Sequence, residues 1–244
     1  MNFSGKTALV TGGTRGIGRA IAETLLAYGA EVIATGTDQN QVSQLNTTAQ
    51  AGLNYVALDL NEADSVKHFI EYIQSIETID VFINNAGINR IERIENISSK
   101  NFNDVLDINL RSPFFLTQAV AEKMIQQESG KIINIASIWS KVTKEGRVSY
   151  IVSKSAIDGL TRGLSTDLAR HNVLVNTVSP GFVMTELTDQ SLSDAEKLEL
   201  QKTVPMNRFA TPDEIANVVS FLCSDLNTYI TGQNIVVDGG YTNV

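Results

Sequence analysis

Cysteine and histidine are scarce in this chain of 244 residues, and their scarcity excludes several kinds of site. The single cysteine, Cys223, excludes an internal disulfide, and because it follows an apolar run we interpret it as a buried hydrophobe rather than a nucleophile. The two histidines, His68 and His171, lie far apart without the spacing of metal ligands. We therefore expect no metal site in this protein.

Long apolar runs and an excess of positive charge are also missing. No stretch approaches the roughly 18 consecutive apolar residues of a membrane-spanning helix, and the first residues do not have the pattern of a signal peptide. We therefore expect a cytoplasmic protein with no membrane partner. The net charge of −8 argues against nucleic acid as a partner, because nucleic acids bind basic surfaces.

Short strand-like and helix-like segments alternate along the chain. The strand-like segments are continuous runs rich in Val and Ile, which are typical of parallel strands buried on both faces. This alternation predicts an α/β fold, a Rossmann-type doubly wound parallel sheet of about seven strands with helices on both faces. No linker or repeat interrupts the pattern, so we expect residues 1–244 to form a single domain. The predicted strands cover residues 6–11, 31–35, 54–60, 79–84, 131–137, 173–179 and 235–237.

The predicted helices fill the intervals between these strands. The segment Thr211-Pro212-Asp213-Glu214 opens the last one, with Pro212 at its first position. A polar stretch over 189–202 is predicted to be one inserted helix. The other helices are predicted over residues 16–28, 38–50, 63–76, 99–109, 113–127 and 150–170.

A glycine-rich segment follows the first predicted strand. Gly12, Gly16 and Gly18 have the spacing Gly-x-x-x-Gly-x-Gly rather than the more common Gly-x-Gly-x-x-Gly. Glycine permits a tight turn and a close approach of the backbone to a pyrophosphate at a helix N-terminus. The position between the first strand and the first helix favours such a site over a turn without a ligand.

Polar residues also follow the third and fourth predicted strands, where open parallel sheets bind their ligands. Asp59 and Leu60 end the third strand, and the segment 84–87, Asn-Asn-Ala-Gly, ends the fourth. Each has a simpler interpretation as well. Asp59 is able to cap the next turn, and Asn and Gly are common in turns without any ligand.

Tyr150 and Lys154 lie four residues apart on a predicted helix, so their side chains share one face. Ser137 ends the fifth predicted strand, and Asn109 lies at a predicted helix break. Taken alone, a Tyr–Lys pair at this spacing is more often a surface pair than a catalytic one.

Together these motifs resemble the short-chain dehydrogenase/reductase family over the whole chain. Within that family the sequence is most similar to the 3-oxoacyl-acyl carrier protein reductases. The resemblance implies an oxidoreductase that reduces a carbonyl to an alcohol. The motifs that carry it are, in order, Thr11-Gly-x-x-x-Gly-x-Gly18, Asn84-Asn-Ala-Gly87, Asn109, Ser137, Tyr150-x-x-x-Lys154 and Pro180-Gly181.

The resemblance also implies a role for each candidate residue. Tyr150 is the general acid, Lys154 lowers the pKa of that phenol and binds the nicotinamide ribose, and Ser137 holds the substrate oxygen. Asn109 supports a water in the proton relay. The implied cofactor contacts are Gly12, Thr14, Arg15, Gly16, Ile17, Gly18, Thr37, Asp59, Leu60, Asn85, Ala86, Gly87, Tyr150, Lys154, Pro180, Gly181, Val183 and Thr185.

The end of the second strand bears on the choice between NAD and NADP. An acidic residue there binds the ribose 2′-hydroxyl and repels a 2′-phosphate, but by family alignment the discriminating position holds Gly36. Arg15 and Thr37 are placed to contact the phosphate, so we expect NADP(H) rather than NAD. Asp38 either caps the following helix or, if the turn differs, opposes a phosphate.

Three stretches vary with substrate in this family: 89–98, 139–148 and 183–204, of which we expect the last to be a substrate lid. Their side chains suggest an apolar lining for the substrate site and a local positive charge. The basic residues either bind an anionic substrate or are loop residues that only contact solvent. The apolar residues are Trp139, Val142 and Phe182, the last of which stands just before the lid. The basic residues are Lys141, Lys144 and Arg147.

An acyl carrier protein is acidic, so its reductase is expected to have a basic docking surface. Glu128 lies where the family's dock begins, whereas Arg170 and His171 lie in its second part. A reductase of small sugars or keto acids is therefore the alternative within the family. A non-catalytic cofactor-binding regulator is a further alternative, against which the full Ser-Tyr-Lys set argues. The family resemblance also implies a homotetramer, and two features support it: 113–127 and 150–170 are apolar on more than one side, and the tail 235–244 is apolar.

Overall fold

The structure is a computed structural model that describes the backbone of residues 1–244 and every side chain except those of Leu187 and Ser191. Seven strands form one sheet in the order β3-β2-β1-β4-β5-β6-β7, and every pair is parallel. The predicted parallel α/β sheet is confirmed. The strands are β1 (Thr7–Val10), β2 (Glu31–Gly36), β3 (Leu53–Ala57), β4 (Val81–Asn84), β5 (Gly130–Ile135), β6 (Val173–Pro180) and β7 (Asn234–Val237).

Helices cover both faces of the sheet, and each face has its own apolar core. Val10 packs in the cluster that includes Ile21 and Ile215, whereas its neighbour Leu9 packs with Phe69 and Leu116 on the other face. No helix in the described chain is both long and apolar enough to cross a membrane. The helices are α1 (Gly16–Ala27), α2 (Gln39–Thr48), α3 (Ala63–Ser75), α4 (Ser99–Leu106), α5 (Ser112–Gln127), α6 (Val148–Leu168), α7 (Glu186–Ser191), α8 (Asp194–Lys202) and α9 (Pro212–Cys223).

The single inserted helix predicted over 189–202 is wrong, because two helices occupy this region. Ser193 ends the link between α7 and α8 and forms a capping box with Glu196. Its hydroxyl accepts from the Glu196 amide at 3.3 Å, and the Glu196 carboxylate accepts from the Ser193 amide at 2.8 Å. This reciprocal cap supplies partners for amides that a new helix leaves free, so it starts α8 separately.

The helix break predicted at Asn109 is also wrong, because a π-helix (Asp107–Arg111) joins α4 directly to α5. Pro113 lies four residues after Asn109 and has no N–H to donate to the Asn109 carbonyl. The regular α-helical hydrogen-bond ladder therefore fails at this carbonyl, and a wider turn replaces it.

Buried polar side chains join the middle strands to two helices. Asn84 donates to Thr117 on α5 at 2.8 Å and to Asn134 on β5 at 2.9 Å. Asn134 donates to Thr161 on α6 at 2.8 Å, and the Thr161 hydroxyl bonds that of Thr177 on β6 at 2.7 Å. Burial makes an unpaired polar group costly, so this network fixes how α5 and α6 sit over the sheet.

The strand order reverses between β1 and β4, and hydrogen bonds around Thr11 hold the two strand ends together. The Thr11 hydroxyl accepts from the amides of Asn85 at 3.0 Å and Ala86 at 3.1 Å. The Asn85 side chain donates to the carbonyls of Thr11 at 2.9 Å and Gly12 at 3.0 Å. We call this group of hydrogen bonds the Thr11–Asn85 clasp.

Replacing Thr11 with valine is expected to lower the free energy of unfolding by about 1–3 kcal/mol, because it leaves the two amides without their acceptor. Urea unfolding at an unchanged m value measures the effect. The matched control is Thr166→Val, since Thr166 is exposed and its hydroxyl only donates within its own helix. Equal stabilities for the two variants would contradict the proposed importance of the clasp.

Candidate active site

A cleft of about 780 Å³ opens at the carboxyl ends of the strands, and it contains residues that follow both β1 and β4. The reversal of strand order there is the feature at which open α/β sheets bind ligands. The structure brings all the expected cofactor-contact positions and Ser137 to this one cleft. They are Gly12, Thr14, Arg15, Gly16, Ile17, Gly18, Thr37, Asp59, Leu60, Asn85, Ala86, Gly87, Ser137, Tyr150, Lys154, Pro180, Gly181, Val183 and Thr185.

The glycine-rich loop forms a cradle that has no room for side chains. A Cβ atom at Gly18 would collide with the Gly12 carbonyl and the Asn85 amide group. Gly12 has a φ of 65°, a conformation that L side chains rarely adopt. The helix that follows, α1, has no side-chain cap at its N-terminus, so its free amides remain available to an anion. This combination fits a cofactor pyrophosphate.

The end of β2 forms the far side of the cleft. Asp38 accepts a hydrogen bond from the Gln41 amide at 2.9 Å, and the expectation that it caps α2 is confirmed. Arg15 is exposed at the cleft and takes part in no ion pair among the described side chains. Gln41 also lines this end, and no sequence motif had identified it.

Ser137, Tyr150 and Lys154 meet at the other end of the cleft. Ser137 follows β5, whereas Tyr150 lies in the first turn of α6 and Lys154 lies one turn later. The Lys154 Nζ atom is buried, donates to the Ile135 carbonyl at 2.8 Å and lies 5.7 Å from the centroid of the Tyr150 ring. Helical spacing and the end of β5 thus bring a hydroxyl, a phenol and an ammonium group together.

Burial controls the ionisation of this group. It raises the pKa of Tyr150, an effect that a hydrogen bond with Ser137 and the positive charge of Arg147 partly oppose. Burial also lowers the pKa of Lys154 to about 8. Lys154 was expected to lower the pKa of Tyr150, but in this arrangement the effect of burial is larger than that of the nearby charges, and the pKa is raised. The positive charge that opposes the rise is that of Arg147. At neutral pH the phenol keeps its proton.

Asn109 lies behind the cleft and not in its lining. Its side chain donates to the Ile88 carbonyl at 2.9 Å and to the Ser153 hydroxyl at 3.0 Å, and it accepts from the Ile88 amide at 2.8 Å. A Cβ added at Gly87 would lie 3.1 Å from Asn109 Oδ1 and 3.3 Å from Lys154 Nζ. Asn109 therefore positions the loop that follows β4, next to Lys154.

An aromatic cluster lies beyond Ser137, and sequence reasoning identified only part of it. The ring centroid of Trp139 lies 6.3 Å from the centroids of both Phe182 and Tyr241. The ring centroids of Phe182 and Phe209 are 5.6 Å apart. Phe209 and Tyr241 were not predicted, because no local pattern links such distant positions. The predicted apolar lining by Trp139, Val142 and Phe182 stays a prediction, because none of the three lines the 780 Å³ cleft. Trp139 and Phe182 pack in this cluster, and Val142 takes no part in it.

Comparison with known proteins agrees with this geometry. A family model described as enoyl-(acyl carrier protein) reductase matches residues 12–242. The 3-oxoacyl-acyl-carrier-protein reductase of Aquifex aeolicus is 40% identical over 98% of both chains. Gluconate 5-dehydrogenase of Gluconobacter oxydans is 36% identical over 99% of this chain and 96% of its own.

Solved structures give the same result. A short-chain dehydrogenase/reductase family protein matches with a TM-score of 0.92 and 35% identity over the full length of both chains. A gluconate 5-dehydrogenase from Burkholderia cenocepacia, solved in complex with NADP and tartrate, matches with a TM-score of 0.91 and 30% identity over 100% of this chain and 97% of its own. The chain therefore belongs to the short-chain dehydrogenase/reductase family, whose members are oxidoreductases that use NAD(P).

Proposed function

We propose that this protein reduces a carbonyl to an alcohol with NADPH, or catalyses the reverse oxidation. The observation that carries the proposal is the meeting of Ser137, Tyr150 and Lys154 at one end of a cleft whose other end is a glycine cradle. A nicotinamide cofactor supplies the hydride when bound. The chain's own residues bind the cofactor, hold the substrate oxygen and supply a proton.

Tyr150 is the general acid in this proposal. Burial keeps its phenol protonated near neutral pH, which is the form that gives a proton to an oxygen. The Ser137 hydroxyl and that phenol both line the same end of the cleft, so we assign both groups to one oxygen atom of a substrate. Donors fixed around a developing negative charge stabilise it without reorganisation.

Lys154 and Asn109 assist Tyr150, the first by binding the cofactor and the second by taking part in proton transfer. We assign Lys154 to the nicotinamide ribose, because its buried ammonium group lines the cleft one turn from Tyr150. We assign Asn109 to the proton relay that restores Tyr150. Pro113 leaves the Asn109 carbonyl without its usual helical donor, and that supports its use as an acceptor for a water beside Lys154.

The preference for NADP(H) rests on the rim formed by Arg15, Gly36 and Thr37. The carboxylate of Asp38 is engaged as a helix cap, so it does not need to be satisfied by a ribose hydroxyl. Arg15 supplies a positive charge without an acidic partner among the described side chains. A guanidinium group binds a phosphate through charge-assisted hydrogen bonds.

Two substrate classes fit the proposal. The similarity to 3-oxoacyl-acyl-carrier-protein reductases favours a 3-oxoacyl group on a carrier protein. Glu128 favours a small sugar or keto acid instead, since it is exposed at the end of α5 where the family's basic dock is expected. The similarity to gluconate 5-dehydrogenases points the same way.

We further propose that residues 1–244 act as one dinucleotide-binding and catalytic domain in a homotetramer, with 183–204 as a lid over the substrate. Exposed apolar side chains support the assembly. Phe114 and Phe115 on α5 and Val148 and Val152 on α6 are each more than 40% exposed. Faces of this kind on two helices are typical of surfaces that a second copy covers.

Replacing Tyr150 with phenylalanine is expected to lower kcat by about 10²–10⁴-fold, the usual contribution of a general acid. Cofactor affinity is expected to change little, because the ring remains. NADPH consumption with a panel of ketones and thioesters measures the first quantity, and nicotinamide fluorescence measures the second. The control is Tyr229→Phe, which removes a hydroxyl from a residue that is 95% exposed. Similar turnover in both variants would contradict the assignment.

Replacing Arg15 with alanine is expected to raise the KM for NADPH about tenfold or more, the effect of losing a charged hydrogen bond of about 1.5–3 kcal/mol. The KM for NADH is expected to stay nearly unchanged. Arg19→Ala is the control, because Arg19 is one turn away and paired with Glu23 at 2.7 Å. Equal increases for both cofactors would show that Arg15 does not contact a 2′-phosphate.

Light scattering at micromolar concentration is expected to give four times the chain mass of 26.5 kDa. Phe115→Asp is expected to lower this mass, because it places a charge on the proposed contact face. Leu198→Asp serves as the control, since Leu198 is 59% exposed on α8 and outside that face. A monomeric parent protein would refute the proposed assembly.

A further inference from the structure

Arg147 stands three residues before Tyr150 and has no acidic partner among the described side chains. Its guanidinium carbon lies 5.2 Å from the centroid of the Trp139 ring. Its Nε atom is buried without a hydrogen-bond partner. A buried donor of this kind is costly unless an acceptor pairs with it, and Arg147 is the charged residue among the described buried side chains that have such an atom.

Two other positive side chains near this loop, Lys141 and Arg93, are paired, whereas Lys144 is exposed to solvent without an ion pair. Arg147 differs from all three because its Nε atom is buried. Lys141 donates to Asp158 at 2.9 Å. Arg93 binds Glu145 at 2.6 Å, although Glu145 is only two residues from Arg147. Lys141 and Arg93 are therefore ordinary loop charges with partners at the surface. Arg147 is not, because its Nε atom is buried without a partner.

The position of Arg147 relates it to the proposed reaction. Its charge lowers the pKa of Tyr150, so the guanidinium group lies within electrostatic reach of the phenol. Trp139, over which it lies, donates its backbone amide to the Ser137 hydroxyl at 3.3 Å. Arg147 thus lies within electrostatic reach of Tyr150 and packs on Trp139, the residue whose amide bonds Ser137.

We propose that Arg147 determines specificity by binding a carboxylate of the substrate, and that the substrate is a small keto acid or keto sugar acid. This inference rests on the proposed carbonyl reduction. Stacking on Trp139 holds the guanidinium plane, and its planar N–H fork matches the two oxygens of a carboxylate. We infer that the carboxylate and the reacting carbonyl belong to one small molecule, because Arg147 lies within electrostatic reach of Tyr150.

The aromatic cluster provides apolar surroundings for the proposed ion pair between Arg147 and the carboxylate. Trp139 lies under the charged group and packs in turn against Phe182 and Tyr241, whose ring centroids are 5.2 Å apart. Low polarity around an ion pair strengthens the attraction between its partners. A neutral ketone fills the same space without pairing Arg147, so it is a weaker substrate.

The test compares keto acids with their methyl esters, using NADPH and the full-length protein. The probes are pyruvate, acetoacetate and levulinate. Their ketone carbon is separated from the carboxylate carbon by one, two and three bonds respectively. The parent protein is expected to favour at least one acid over its ester in kcat/KM by about thirtyfold or more, as for other buried charge pairs. Arg147→Gln is expected to reduce that preference to within about threefold while ester turnover is kept.

Arg162→Gln is the matched control, because Arg162 is an exposed arginine further along the same helix, α6. It is expected to keep the parent's acid preference. An acid-to-ester ratio that is unchanged in Arg147→Gln, or a parent that favours no acid, would overturn the inference and leave carbonyl reduction intact. Equal losses on acids and esters with a shifted pH profile would also overturn it, because Arg147 would then only position or polarise Tyr150. Failure of the parent on every acid and ester would overturn the proposed function itself, and the inference with it.

Discussion

The Thr11–Asn85 clasp holds the two halves of the sheet together at the point where the strand order reverses. The chain leaves β1 towards β2 on one side and leaves β4 towards β5 on the other, so the connections after the two strands diverge there and leave room for a ligand. The clasp also fixes Asn85 against Gly12, and Gly18 then has no space for a side chain. The same few hydrogen bonds therefore close the sheet and shape the cradle in which we expect the cofactor.

The catalytic end of the cleft depends on buried polar groups that are paired behind it. Asn134 and Thr161 connect β5 to α6, and the adjacent Ile135 carbonyl accepts from Lys154. These bonds set the rotation of α6 and hence the direction in which Tyr150 faces. Burial then separates the two ionisable groups by their pKa values, raising that of the phenol and lowering that of the ammonium. A neutral phenol next to a hydroxyl is suited to giving a proton to a carbonyl oxygen.

Much of this fold could be predicted from the sequence, because its signals are local. Continuous runs such as Val173–Pro180 indicate buried parallel strands, and Thr211 with Pro212 indicates a helix start. The turn between α7 and α8 and the π-helix at Asn109 were missed, since each depends on one residue, Ser193 or Pro113, whose effect needs the surrounding chain. The unpaired state of Arg147 has no sequence signal at all. It follows from which acids the fold brings near, and only the structure gives that.

The most direct test of the account is the fate of deuterium from the C4 position of NADPH. Turnover of a ketone substrate with NADPH that carries deuterium in place of both C4 hydrogens, followed by mass spectrometry, is predicted to place one deuterium on the carbinol carbon of the product. Consumption of the cofactor without a deuterated alcohol, or binding of the cofactor with no product from any carbonyl, would contradict the conclusion that this protein is a reductase.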